Sequence, residues 1–148
     1  MKKTILLLLC LPFIGFGQNV NIPDANFKTY LVGNNSINTN NDTEIQVSEA
    51  TSFSGYINCA GLGISDLTGI EAFTALTILY CYNNQLTLLD VSNNTALTTL
   101  NCTDNQLDSL DVSNNTSLTV LQTGSNQFTS LDVSQNTALT ELSCYNNQ

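Results

Sequence analysis

Leu76–Ala96 (LTILYCYNNQLTLLDVSNNTA), Leu97–Ser117 (LTTLNCTDNQLDSLDVSNNTS) and Leu118–Ala138 (LTVLQTGSNQFTSLDVSQNTA) align without a gap at an offset of 21 residues. A fourth copy, LTELSCYNNQ, runs from Leu139 to Gln148. Each copy is nearly a doublet: Leu76-x-x-Leu79-x-Cys81-x-x-Asn84 is followed by Leu86-x-x-Leu89-x-Val91-x-x-Asn94. A period of this kind means a stack of like coils, none of which buries its apolar side alone.

Within a coil the physics is local. In Leu79-Tyr80-Cys81 and Leu89-Asp90-Val91 alternate side chains point in and out, as in a short strand. Asn84 or Asn94 then turns the chain, its amide serving backbone groups that a tight bend leaves unpaired. No 3.6-residue apolar period occurs after Leu76. The expected fold is a narrow, mostly β solenoid with parallel strand ladders on two faces and little helix. Stacking at about 4.8 Å aligns Leu79, Leu100, Leu121 and Leu142 in one buried column. Asn84, Asn105, Asn126 and Asn147 form a polar ladder beside it, and Asn94, Asn115 and Asn136 a second. Cys59, Cys81, Cys102 and Cys144 share one inward position, where Thr123 takes the third turn. Stacked thiols lie beyond disulfide reach, so free, buried cysteines are expected.

The pattern extends backwards less regularly through Ile57–Ile64 (INCAGLGI) and Ile64–Leu79 (ISDLTGIEAFTALTIL). On these residues the chain resembles secreted bacterial leucine-rich-repeat proteins of the short, 21-residue class, and ISDLTGIEAFTALTIL resembles the first repeats of internalin-type surface proteins. Such proteins typically carry many repeats and a C-terminal sorting module. The resemblance implies display at the cell surface and binding of a protein or glycan, and implies no catalytic residue. This chain stops halfway through a coil without a capping segment. It therefore reads as an N-terminal fragment, or as a chain that self-associates through its last coil.

Ahead of the repeats, Met1–Gly17 has a basic start, a short apolar run and small residues before Gln18, the layout of a secretory signal peptide. The run is too short for a membrane span, and the bulky Leu9 before Cys10 argues against a lipid anchor there. The organisation expected is a signal over 1–17, a helical cap with an EF-hand-like loop over 18–50 and the solenoid over 51–148. The cap helix is expected from Pro23 to Val32. Beyond it, Asn38, Asn40, Asp42, Glu44 and Glu49 fall at positions 1, 3, 5, 7 and 12 of a twelve-residue calcium loop. Thr43 stands where that loop needs glycine, so the site would be a weak one for Ca²⁺, beside the plainer reading of an Asn-rich loop held by its own hydrogen bonds.

Composition removes other functions. Twelve carboxylates face three lysines, with no arginine or histidine, and the formal net charge is −9. Such a chain has nothing to neutralise phosphates, which excludes a nucleic-acid partner. Without histidine the commonest general base is missing. The carboxylates sit in copied columns such as Asp90, Asp111 and Asp132, so a carboxylate-based enzyme is a minor alternative. Ice binding by the threonine columns, Thr77, Thr98, Thr119 and Thr140 among them, is another. The positions that differ between copies are the informative ones. Tyr80, Tyr82, Asn101, Asp104, Gln122 and Tyr145 form the candidate binding surface, because tyrosines in a polar field of low charge suit recognition. The runner-up reading is a structural spacer for a missing C-terminal module.

Overall fold

The computed structural model describes residues 17–148; the segment expected to be a signal peptide, apart from Gly17, lies outside them, and Cys10 with it. Two short helices, α1 (Ala25–Val32) and α2 (Val47–Ser52), precede five three-residue strands: β1 (Tyr56–Asn58), β2 (Ile78–Tyr80), β3 (Thr99–Asn101), β4 (Val120–Gln122) and β5 (Glu141–Ser143). The strands form one parallel sheet in chain order. Its register runs Ile57, Leu79, Leu100, Leu121, Leu142, one residue per coil, with the 21-residue offset from Leu79 onwards and one residue more in the irregular first coil.

Both asparagine ladders form, and they work differently. Nδ2 of Asn105 donates to Cys102 and Thr103 of its own coil and to Cys81 of the coil before, while its Oδ1 accepts from the N–H of Leu86. Asn84, Asn126 and Asn147 repeat that arrangement. Asn115 instead donates to Val91 and Asn94, and its Oδ1 stays buried without a partner, as do those of Asn94 and Asn136.

The second face departs from expectation. Leu89–Val91 and its copies form no strand. Backbone bonds join successive coils near their asparagine turns, as from Gln106 N–H to Leu86 O and from Gln127 N–H to Leu107 O. Aspartate turns hold the rest of this face. Oδ1 of Asp90, Asp111 and Asp132 accepts the N–H of Ser92, Ser113 and Ser134 at 2.9, 2.9 and 2.8 Å. A carboxylate two residues ahead of a free N–H offers the backbone a local partner, and the ladder stops at one face. The threonine column is also structural: Thr98, Thr119 and Thr140 donate their hydroxyls to the preceding coil's threonine carbonyl at 3.0–3.1 Å.

One turn position per coil is left-handed, at Gly61, Asn83, Asp104, Ser125 and Asn146 with φ of 51–69°, and the irregular first coil adds Gly63 and Gly69. Glycine fills it without a steric cost and asparagine or aspartate with a small one.

Helix α1 starts two residues later than expected because Asp24 is its N-cap: Oδ1 accepts from Asn26 and Phe27 N–H. Its Oδ2 accepts from the N–H and hydroxyl of Ser65, tying the helix to the first coil. Phe27 and Leu31 of α1 and Ala50 of α2 share one core with Ile57, Ile64 and the leucine columns. The Tyr30 hydroxyl accepts from Asn58 N–H at 2.9 Å, covering the open edge of β1. The helices thus lid the first coil, which otherwise presents an unpaired strand edge.

Burial opposes ionisation of Asp24, but its four hydrogen bonds outweigh that and hold the carboxyl below its ordinary value. Glu49 behaves alike: burial raises it, and bonds from Gln46, Thr39 and Asn40 lower it further. A carboxyl depressed in the folded chain contributes stability above its unfolded pKa and loses it as pH falls through the folded one. The urea midpoint is therefore expected to stay level from pH 7 to about 5 and to drop below about pH 4. Asp24→Asn, which keeps one acceptor, should flatten part of that drop; an unchanged acid profile would remove Asp24 from the account.

Candidate functional site: the outward face of the sheet

Strand alternation fixes which side chains face out. Leu79, Leu100 and Leu121 are buried, so their neighbours form two outward rows in register: Tyr56, Ile78, Thr99, Val120, Glu141 and Asn58, Tyr80, Asn101, Gln122, Ser143. A third row follows where the strands end, at Tyr82, Thr103, Gly124 and Tyr145.

Of the residues expected from sequence, Tyr80, Asn101 and Gln122 lie side by side on adjacent strands. Asn101 Oδ1 accepts from the N–H of Thr103, and Gln122 Nε2 donates to Glu141 at 2.8 Å, so both amides are held in place. Tyr82 and Tyr145 lie on the same face but three coils apart, and both are exposed. Asp104 is an exposed turn residue, set by its left-handed backbone. Tyr56, 62% exposed at the head of β1, is a further aromatic on this face. Sequence reasoning missed it because the irregular first coil was traced only from Ile57; its alternation with buried Ile57 is the signal that would have found it.

Gly124 shares the register of the third row but is buried. A Cβ there would stand 2.5 Å from Cε1 of Tyr145 and 2.7 Å from its Cζ. The missing side chain is what lets the Tyr145 ring lie back against the fourth coil.

The residues expected to bind calcium bond chiefly to one another and to nearby backbone, and Asn38 Oδ1 is buried without a partner. Asn38 Nδ2 donates to the carbonyls of Val32 and Asp42. Asp42 Oδ1 accepts from Glu44 N–H, and its Oδ2 from Asn40 and Gln46 side chains. Glu44 pairs with Lys28 at 2.6 Å. Glu49 Oε1 accepts from Thr39 N–H, the Thr39 hydroxyl and Asn40 N–H, and Oε2 from Gln46 N–H, closing a capping box on α2. Helix α2 thus begins inside the stretch expected as a metal loop. Among the described residues no three of His, Cys, Asp and Glu come together in a way that could hold a metal ion.

The cysteine column forms as expected except at its end. Cys59, Cys81 and Cys102 are buried free thiols, and Cys144 on the last coil is exposed. Each buried Sγ donates to a carbonyl of the next coil, at Tyr80, Asn101 and Gln122, and Thr123 Oγ1 continues the series at Ser143. Burial pushes the thiols of Cys59 and Cys102 up to about 12 and that of Cys81 well above its ordinary value. The thiolate is the reactive form. Iodoacetamide at pH 8 is therefore expected to label Cys144 within minutes and leave the other three unlabelled until urea unfolds the chain. Peptide mapping of equal early labelling at Cys81 would refute the buried column.

Comparison with known proteins agrees with this architecture. No family model matches the chain. A 73-residue stretch, 49% of the chain, is 42% identical to internalin J of Listeria monocytogenes serotype 4b (strain F2365), covering 8% of that protein. The functional domain of InlJ from Listeria monocytogenes, a structure that includes a cysteine ladder, aligns with a TM-score of 0.78 at 39% identity, over 88% of this chain and 29% of that one. This chain is an internalin-like leucine-rich-repeat solenoid. Internalin C2 of the same species shares the fold at 18% identity, with a TM-score of 0.66 over 88% of this chain and 70% of its own. The chain spans less than a third of the length of internalin J and of the solved InlJ domain. No helix among the described residues is long and apolar enough to cross a membrane.

Proposed function

We propose that the chain is an exported, non-catalytic binding module that engages a protein ligand at the bacterial surface through the outward face of its sheet. The observation that carries this is the set of exposed aromatics on that face: Tyr56, Tyr82 and Tyr145, with half-buried Tyr80 between Asn58 and Asn101. Aromatic side chains exposed in a field of amides and hydroxyls supply contact area at small entropic cost. The Met1–Gly17 leader supports export, and the likeness to internalins supports surface binding. A glycan is the second ligand class to include, because the same amides and rings suit sugars.

The test is a screen of immobilised extracellular proteins and glycans, repeated with a Tyr80→Ala/Tyr82→Ala variant. Every specific hit is expected to lose at least tenfold in affinity while the melting curve stays unchanged, because both rings lie outside the core. Hits that survive the double substitution would sink the sheet-face reading and favour a spacer.

The 38–49 loop is proposed to close through its own hydrogen bonds, with calcium contributing nothing measurable. Melting curves in 5 mM calcium and in chelator are expected to coincide within about 1 °C, since binding to the folded state alone would raise the midpoint. A calcium-dependent rise that Asp42→Asn abolishes would restore the metal reading.

A further inference from the structure

Two cavities, of about 490 and 820 Å³, open on the turn face of the solenoid and share Leu88, Leu89 and Asp90 in their walls. They form one groove running along the stack, from the segment 65–71 of the first coil to the segment 129–135 of the fourth. At about 4.8 Å per coil that is roughly 14 Å, the length of about four extended residues.

Two departures from the copied repeat meet in this groove. Leu88 stands where the next two coils place Ser109 and Ser130, and it is 70% exposed, the most exposed large apolar side chain described. Asp108 stands where the flanking coils place Thr87 and Thr129. Leu88 stands exposed beside the buried Leu89 and half-buried Leu110 of the groove wall, and Asp108 adds to the carboxylates of Asp90 and Asp111 beside it. No cationic side chain lines the groove. The one lysine among the described residues, Lys28, is paired with Glu44.

We propose that this groove is a second docking surface, separate from the sheet face, for a short basic peptide segment that seats an aliphatic side chain on Leu88. An exposed leucine flanked by carboxylates asks for a partner with apolar and cationic groups close together. A second copy of this chain is the wrong occupant, because it brings the same acidic excess, and an anionic lipid surface or nucleic acid is repelled for the same reason. The aspartates are already oriented by the serine N–H bonds described above, so little ordering is needed on this side.

The probe is the peptide acetyl-Lys-Leu-Lys-Lys-Leu-Lys-amide, titrated into the chain by calorimetry at low and physiological salt. Its control, acetyl-Lys-Gly-Lys-Lys-Gly-Lys-amide, has equal charge and no apolar side chains. The leucine peptide is expected to bind and the glycine peptide to bind at least tenfold more weakly. Leu88→Ser restores the residue of the neighbouring coils, so it should fold as before and lose about tenfold in affinity. Asp90→Asn/Asp111→Asn keeps the oxygens that accept from Ser92 and Ser113, and should weaken binding and flatten its salt dependence. The Tyr80→Ala/Tyr82→Ala variant should bind the peptide like the parent chain, which separates this groove from the sheet face. Absence of binding, equal binding of both peptides, parental affinity in Leu88→Ser, or loss in the tyrosine variant would each overturn the proposal.

Discussion

Asn126→Ala is expected to destabilise the solenoid by about 3 kcal/mol, and Asn126→Asp by more. Asn126 is buried within the stack. Its Nδ2 reaches the carbonyls of Cys102, Thr123 and Gly124 at 3.0–3.2 Å, and its Oδ1 accepts the N–H of Leu107 at 3.0 Å. The carbonyls of Cys102 and Thr123 also receive Asn105 and Asn147, and that of Gly124 the N–H of Asp104, so each keeps one donor after truncation. The Leu107 N–H keeps none, and an orphaned buried donor accounts for much of the cost. Aspartate is nearly isosteric, but it replaces the donor by an oxygen aimed at three carbonyls and adds a buried charge. Urea denaturation should therefore rank parent, alanine and aspartate in that order. Aspartate matching alanine would mean that the ladder acts by shape and not by hydrogen bonding.

Leu100→Ala is expected to cost about 3–4 kcal/mol, against less than about 1 for Leu142→Ala. The two leucines occupy the same repeat position. Leu100 lies on β3 between Leu79 and Leu121 and is fully buried, so alanine leaves a cavity enclosed on both sides. Leu142 lies on the edge strand β5 and is 44% exposed, so water already reaches it. Because stability in a solenoid passes through nearest-neighbour interfaces, Leu100→Ala should also lower hydrogen-exchange protection at β2 and β4. Equal costs at the two positions would show that position in the stack does not decide the contribution of a leucine.

Much of the fold is legible in the chain because it depends on period alone. The 21-residue offset places Leu79, Leu100, Leu121 and Leu142 in register, and a buried column needs no further information. The asparagines are legible for the same reason: a tight turn repeated at one pitch demands one amide per turn. The site is less legible. Period identifies Tyr80, Asn101 and Gln122 as neighbours, since they sit at copied outward positions. It could not find Tyr56 in the irregular first coil, or show that Gly124 makes room for the Tyr145 ring. Those facts depend on where side chains from different coils meet.

The calcium loop shows the same boundary. Asn38, Asn40, Asp42 and Glu49 have the spacing of a metal loop, but spacing does not say which donors reach a carboxylate first. In the folded chain Glu49 is taken by four hydrogen bonds from Thr39, Asn40 and Gln46, and Glu44 by Lys28. The second face likewise has the alternation of a strand, yet Asp90 and its copies draw the following serine N–H groups into turns. By itself, then, the sequence determined the solenoid, its register and its buried columns, because each follows from a repeat length and an alternation of apolar residues. Only the tertiary structure decided the single sheet, the hydrogen bonds within the 38–49 loop and the groove around Leu88, because each turns on which of several competing groups, near in sequence or far from it, takes a given hydrogen bond or a given space.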